Sequence, residues 1–181
     1  MVERFGGTAI LTPVGLVSGT DRVAWVTRDW KTEIVINIQG DEPLVDPRSI
    51  DRLVAEMLED ELCDMATLAV KKRDQEELKN PNVVKVTFSS SGNALYFSRQ
   101  ALTCGPDHAF YKHIGIYGYR RNALLKFCSL RRSPLESAER LEQLRALEAG
   151  FRIKIVEVSH DTVSVDHPSD VGKVEALMGE T

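Results

Sequence analysis

Apolar residues along this chain fall into two alternating patterns. Short runs rich in β-branched residues predict strands at 8–11, 34–38, 65–70, 83–88, 95–98, 113–119 and 153–158, with a brief one at 163–165. Between them the apolar positions recur at the helical period. Asp46-Pro47 gives an N-cap with proline at the first helical position, and Ile50, Leu53, Val54, Met57 and Leu58 follow. Ser133-Pro134-Leu135-Glu136 reads as a capping box, opening a helix expected to run unbroken to Gly150 with Leu135, Ala138, Leu141, Leu144 and Leu147 facing the core. His167-Pro168-Ser169-Asp170 opens a last helix with Val171, Val174, Leu177 and Met178 inward. Strands alternating with helices predict an α/β fold around a mixed, mostly parallel sheet. Ser89-Ser90-Ser91-Gly92-Asn93 sits between two predicted strands and marks a hairpin, so one antiparallel pair interrupts the parallel pattern.

The whole of 1–181 reads as a single domain, with no repeat, linker or low-complexity stretch. Its opening is unusual. Val2-Glu3-Arg4-Phe5-Gly6-Gly7 resembles the end of a helix with a glycine stop, whereas doubly wound domains open on a strand and a phosphate-binding loop. The domain is therefore expected to be incomplete at the N-terminus.

Charge narrows the partners. With 23 Lys+Arg against 27 Asp+Glu the net charge is −4, so there is no basic footprint for nucleic acid, and a bound polyanion requires local cations or a metal. No apolar run reaches the roughly 20 residues that span a bilayer, and the opening Met-Val-Glu-Arg-Phe-Gly-Gly lacks a signal-peptide core. Cys63, Cys104 and Cys128 are scattered, without a C-x-x-C pair. That argues against a disulfide framework or zinc site and for a reducing, cytoplasmic setting. No P-loop, G-x-G-x-x-G or G-x-S-x-G motif is present.

The chemistry is expected where strands end. Ile34-Val35-Ile36-Asn37-Ile38 runs into Gln39-Gly40-Asp41-Glu42-Pro43, and the carboxyl end of a strand is where open α/β sheets bind ligands. Asp41 and Asp166 each follow an apolar strand two residues before a proline, a pairing able to share one Mg²⁺; the plainer reading of Asp166 is a helix cap. Ser18-Gly19-Thr20-Asp21-Arg22 is a small-polar turn before a helix, where Gly19 admits close approach of a base or simply precedes an ordinary cap. Arg99 ends a strand. His113 and Tyr117, four apart on another, share a face. Glu139, Glu142, Gln143 and Ala146 line one side of the predicted 134–150 helix; they suit sugar hydroxyls, or form a solvated face paired with Arg140 and Arg145.

In order, Ser-Gly-Thr-Asp-Arg, Val-Ile-Asn-Ile-Gln-Gly-Asp-Glu-Pro, Asn-Pro-Asn-Val-Val-Lys-Val, Asn-Ala-Leu-Tyr-Phe-Ser-Arg, Lys-His-Ile-Gly-Ile-Tyr-Gly-Tyr-Arg, Leu-Glu-Gln-Leu-Arg and Ser-Val-Asp-His-Pro-Ser-Asp closely resemble the 3-deoxy-manno-octulosonate (KDO) cytidylyltransferase family of lipopolysaccharide biosynthesis, from about Phe5 onward. The resemblance implies a Rossmann-like nucleotide-diphospho-sugar transferase fold, commonly a homodimer. It implies transfer of CMP from CTP to the anomeric hydroxyl of KDO with Mg²⁺, releasing pyrophosphate. It assigns Asp41 and Asp166 as metal ligands, Ser18, Gly19 and Thr20 to the cytosine, and Gln39, Arg99, His113, Tyr117, Glu142 and Gln143 to the sugar acid. The basic N-terminal loop with which the family holds the CTP phosphates is not found, and 101–110 is shorter than in many members. The chain alone is accordingly expected to be inactive. The alternatives are a non-catalytic paralogue that binds a sugar acid or partner subunit, and a cytidylyltransferase for another acidic sugar.

Overall fold

The computed structural model describes residues 2–102, 109–165 and 167–179, apart from the side chains of Ser169 and Lys173. After a 3₁₀ turn at Val2–Phe5, the elements run α1 (Gly19–Thr27), β1 (Ile34–Asn37), α2 (Pro47–Glu59), β2 (Met65–Lys72), α3 (Gln75–Lys79), β3 (Lys85–Phe88), β4 (Ala94–Ser98) and β5 (Phe110–Arg120). Then follow α4 (Arg121–Ser129), α5 (Pro134–Glu139), α6 (Gln143–Glu148), β6 (Ile153–Val158), a 3₁₀ turn at Pro168–Asp170 and α7 (Val171–Gly179).

β5 organises the sheet. One edge takes β2, antiparallel from Met65↔Tyr119 to Lys72↔Phe110. The other edge takes two strands end to end: β1 beside residues 117–120 and β3 beside residues 111–112, both antiparallel. β6 joins β2 in parallel, and β4 joins β3 through the hairpin at Ser89–Asn93, whose Gly92 has a positive φ of 78°. The α/β class is as the pattern predicts, but the expectation of a mostly parallel sheet needs correction. β1, β2, β3 and β6 do run one way, yet β5 runs against them from the middle, so among the described residues only β2–β6 is a parallel neighbour pair of strands. Element order reveals strand direction only when helices carry the crossovers, and β5 arrives from a hairpin strand.

β2 is buried on both faces, which explains its near-continuous apolar run. Its Met65 and Ala69 face a core with Phe97, Tyr119, Phe127, Leu144 and Ile153. Ala66, Leu68 and Val70 face the other way, towards Ile114, Ile116 and the α2 residues Leu53 and Met57. α2 lies so close to the sheet that a Cβ on Gly118 would stand 2.5 Å from Met57 Sδ.

Four other sequence expectations fail. Of the α7 residues expected inward, Val174 is buried while Val171, Leu177 and Met178 are exposed. Residues 8–11 and 163–165 form no strand, and Ile10 and Leu11 are exposed. The predicted 134–150 helix is two helices, broken at Arg140, which takes the left-handed conformation with φ 57°. Leu141 and Leu144 are then buried, while Leu135 and Ala138 are exposed.

Candidate active site

The turn after β1 and the segment after β6 meet across an open cavity of about 880 Å³. Gln39, Asp41 and Glu42 line it from the first, and Asp161, Thr162, Val163 and Ser164 from the second. The two segments are tied together: Val165 N–H donates to the Asp41 carbonyl (2.9 Å), and Ser164 Oγ donates to Glu42 Oε1 (2.8 Å). β5 forms the floor with Lys112, His113, Gly115 and Tyr117; Arg99 enters from the end of β4, and Gln143 from α6. Of the residues expected at the site, Gln39, Asp41, Arg99, His113, Tyr117 and Gln143 thus line one cavity, although they span more than a hundred positions.

The remaining candidates sit elsewhere. Ser18 is the N-cap of α1: its Oγ accepts from Asp21 N–H (3.1 Å), and Asp21 answers as the second half of a capping box. Gly19 lies against Gln39, whose Oε1 would be 3.1 Å from a Cβ there. Glu142 does not line the cavity; its Oε2 accepts from Thr20 Oγ (2.9 Å). Ser18–Thr20 therefore form a shelf adjoining the cavity through Gln39 and Glu142. Asp166 lies outside the described residues, and with it the proposed pairing with Asp41.

Arg99 is fixed rather than free to swing. Its Nε donates to the Glu139 carbonyl (3.0 Å), Nη1 to the Pro81 carbonyl (3.2 Å), and its backbone N–H to Glu139 Oε2 (2.9 Å). Glu139 also accepts from Ser98 Oγ (2.9 Å), so it anchors the end of β4 instead of facing solvent. Lys85 completes this support. Fully buried, its Nζ donates to the carbonyls of Asn80 (2.8 Å), Val83 (2.8 Å) and Arg99 (2.7 Å). Burial, with the nearby Arg99 charge, draws its pKa below the ordinary lysine value.

Burial also sets the protonation of the floor. It pulls His113 down to about 3, so the imidazole is neutral at physiological pH. It pushes Tyr117 well above 10, aided by Tyr119 and the Glu142 carboxylate, so the phenol keeps its proton as a donor. The two rings lie 5.5 Å apart by their centroids.

Sequence reasoning missed several groups. Asp161 is bridged by Lys112 (2.8 Å) and Lys72 (2.7 Å), which hold its carboxyl below the usual range against the opposing effect of burial. Among the described residues, the buried polar atoms near the cavity without a hydrogen-bond partner include Asn37 Nδ2, Glu42 Oε2 and, on a residue the sequence did single out, Gln143 Nε2. Such groups are rare in folded proteins, and near a cavity they suit a ligand. A signal for Asn37 existed, since it is the one amide in an otherwise apolar strand. Lys85, likewise, is a charge inside a strand run. Thiol chemistry finds no support in Cys63 or Cys128, whose pKa values burial raises, that of Cys128 to about 12; Cys104 lies outside the described residues.

A family model for cytidylyltransferases matches residues 1–155. The 3-deoxy-manno-octulosonate cytidylyltransferase of Myxococcus xanthus is 47% identical over 182 residues, covering 98% of this chain and 73% of that protein. The protein of the same name from Solibacter usitatus is 44% identical over 179 residues, covering 97% and 71%. Among solved structures, a CMP:2-keto-3-deoxy-manno-octonic acid synthetase complexed with CTP superposes with a TM-score of 0.92 at 40% identity, over 99% of this chain and 75% of that one. A glucose-1-phosphate thymidylyltransferase from Bacillus anthracis, only 14% identical with a TM-score of 0.63, shares the fold alone. Since identities above 40% extend over almost its entire length, the chain belongs to the 3-deoxy-manno-octulosonate cytidylyltransferase family.

Proposed function

We propose that the chain acts in the transfer of CMP from CTP to KDO, giving CMP-KDO and pyrophosphate for lipopolysaccharide biosynthesis, in the cytoplasm and as a homodimer. The observation that carries the sugar-acid part is the convergence on one cavity of a held guanidinium with unpartnered amide and carboxylate groups. KDO presents a carboxylate and many hydroxyls. Arg99 has committed Nε and Nη1 to carbonyls, which fixes the plane of the guanidinium and leaves Nη2 for the carboxylate. Gln143 Nε2 and Asn37 Nδ2 are donors without acceptors, and Glu42 Oε2 an acceptor without a donor, suited to hydroxyls and ring oxygen. Tyr117 donates and neutral His113 accepts. The Ser18–Thr20 shelf is the proposed seat of the cytosine, held against Gln39 and Glu142.

Transfer requires the anomeric oxygen of KDO to bond the α-phosphorus of CTP as the bond to pyrophosphate breaks. Mg²⁺ is the proposed metal, and the exposed Asp41 carboxylate on the cavity wall is a hard oxygen donor of the kind it takes. When bound, the ion screens the triphosphate and stabilises charge on the transferred phosphorus.

One observation favours a second reading, sugar-acid binding without transfer. Among the described residues, the cavity cations are already engaged, Lys112 with Asp161 and Arg99 with backbone carbonyls, while a triphosphate calls for positioned cations. Pyrophosphate release from CTP and KDO with Mg²⁺ separates the two. KDO-dependent release supports transfer. KDO binding without release supports the second reading, and failure of both removes the site assignment.

A further inference from the structure

The floor of the cavity contains an irregularity with chemical consequences. Thr67 of β2 pairs with Tyr117 of β5, but the next residue, Leu68, pairs with Ile114. Gly115 and Ile116 are therefore extra residues on β5, a bulge that re-aims the strand beside the cavity. The Thr67 side chain fills this irregularity. Its Oγ stands 2.8 Å from the Ile116 carbonyl, 3.1 Å from the Ile114 carbonyl and 2.9 Å from His113 Nε2, all buried.

A hydroxyl has one proton. Two of its three neighbours are carbonyl oxygens, which only accept, so the Thr67 proton goes to a carbonyl. Were it directed at His113 instead, both carbonyl oxygens would face hydroxyl lone pairs in a water-free setting, a costly arrangement. The remaining contact is then satisfied in one way, with His113 Nε2–H donating to Thr67 Oγ. We propose that Thr67 is a positioning residue that locks His113 as the Nε2–H tautomer, leaving Nδ1 as a hydrogen-bond acceptor for a hydroxyl of the sugar acid. His113 lines the cavity, and Nδ1 makes no hydrogen bond within the described chain. Phe97 packs edge-on at 5.2 Å between centroids and Tyr117 lies on the other flank, so the ring is held in plane as well as in tautomer. An acceptor at this point complements the donors Tyr117, Gln143 and Arg99. It discriminates by requiring a hydroxyl where a deoxy or keto position would leave Nδ1 unpaired.

The identity of the ligand rests on the sugar-acid reading, but the tautomer does not, and the two are measured separately. In ¹⁵N-histidine-labelled protein without ligand, the His113 ring is assigned by its loss in His113→Gln, and its two nitrogens are read through their coupling to the ring protons. The expected result is a single Nε2–H tautomer in the wild type and in Thr67→Ser, which keeps the hydroxyl. Thr67→Val, of similar shape without it, should lose that single state. KDO affinity by calorimetry should fall about tenfold in Thr67→Val and stay within about twofold in Thr67→Ser. An Nδ1–H ring or a mixture in the wild type overturns the proposal, as does a Thr67→Val protein with unchanged tautomer and affinity. If Thr67→Val does not fold, the wild-type and Thr67→Ser spectra still decide. A locked Nε2–H ring in a protein that does not bind KDO supports the positioning role while overturning the sugar-acid reading.

Discussion

His113 is the residue at which burial, chemistry and stability meet. Its ring is enclosed by Phe97, Tyr117 and Thr67, and burial depresses its pKa to about 3. In the unfolded chain the same imidazole titrates near 6.5. Between those values the unfolded state binds a proton that the folded state does not, so stability from this group is fully present above about 6.5 and is lost as pH falls towards 3. One proton corresponds to a slope of about 1.4 kcal/mol per pH unit. Urea unfolding of wild type and His113→Asn between pH 6.5 and 4 should therefore diverge, the wild type losing stability more steeply by up to that slope. Parallel curves would mean the ring is protonated inside the fold. The sequence showed that His113 and Tyr117 share a face, but not that the histidine is neutral. Neutrality comes from the neighbours, and Phe97 and Thr67 reach it from β4 and β2 across long sequence separations. The same applies to Lys85, whose three carbonyl partners come from two different loops.

At the scale of elements, the break at Arg140 shapes the site most. A continuous helix would put Glu139 and Gln143 on one face, as their spacing suggests. With Arg140 left-handed, Glu139 turns to the end of β4 while Gln143 is buried at the cavity. A non-glycine residue in that conformation costs on the order of 1 kcal/mol. Arg140→Gly should accordingly stabilise the chain by roughly 0.5–1 kcal/mol, seen as a higher urea midpoint with an unchanged slope; a lower midpoint would show that the Arg140 side chain contributes more than its backbone strain removes. The capping box at Ser133 and the glycine at 150 were legible as the two ends of the segment. The interruption was not, because leucines every third residue fit one helix as well as two. The strands were legible where side chains alternate over a core, as at Ile153–Val158. Residues 8–11 have the composition of a strand, but pairing is a long-range property, and among the described residues they pair with none. The central, reversed β5 was hidden for the same reason: its residues mark a strand and leave its direction open.

For the molecule as a whole, the account is that the carboxyl ends of β1 and β6, the end of β4, the floor of β5 and the start of α6 assemble one sugar-acid cavity. Motif order carried most of the family assignment, which the identity of more than 40% to KDO cytidylyltransferases supports over nearly the full length. It also named six of the residues that line the cavity. It missed Glu42 and Asn37, whose unpartnered atoms become visible only in three dimensions, and it placed Glu142 in the cavity although its carboxylate serves Thr20. No described helix is long and apolar enough to cross a membrane. The most direct measurement is titration of KDO into the chain by calorimetry, beside Gln143→Leu, which removes one unpartnered donor, and Arg99→Lys, which keeps the charge but loses the planar fork. The account predicts saturable one-to-one binding in the wild type, weakened about 10- to 100-fold in each variant, and no binding of a neutral hexose. Absence of KDO binding, or wild-type affinity in both variants, would contradict it.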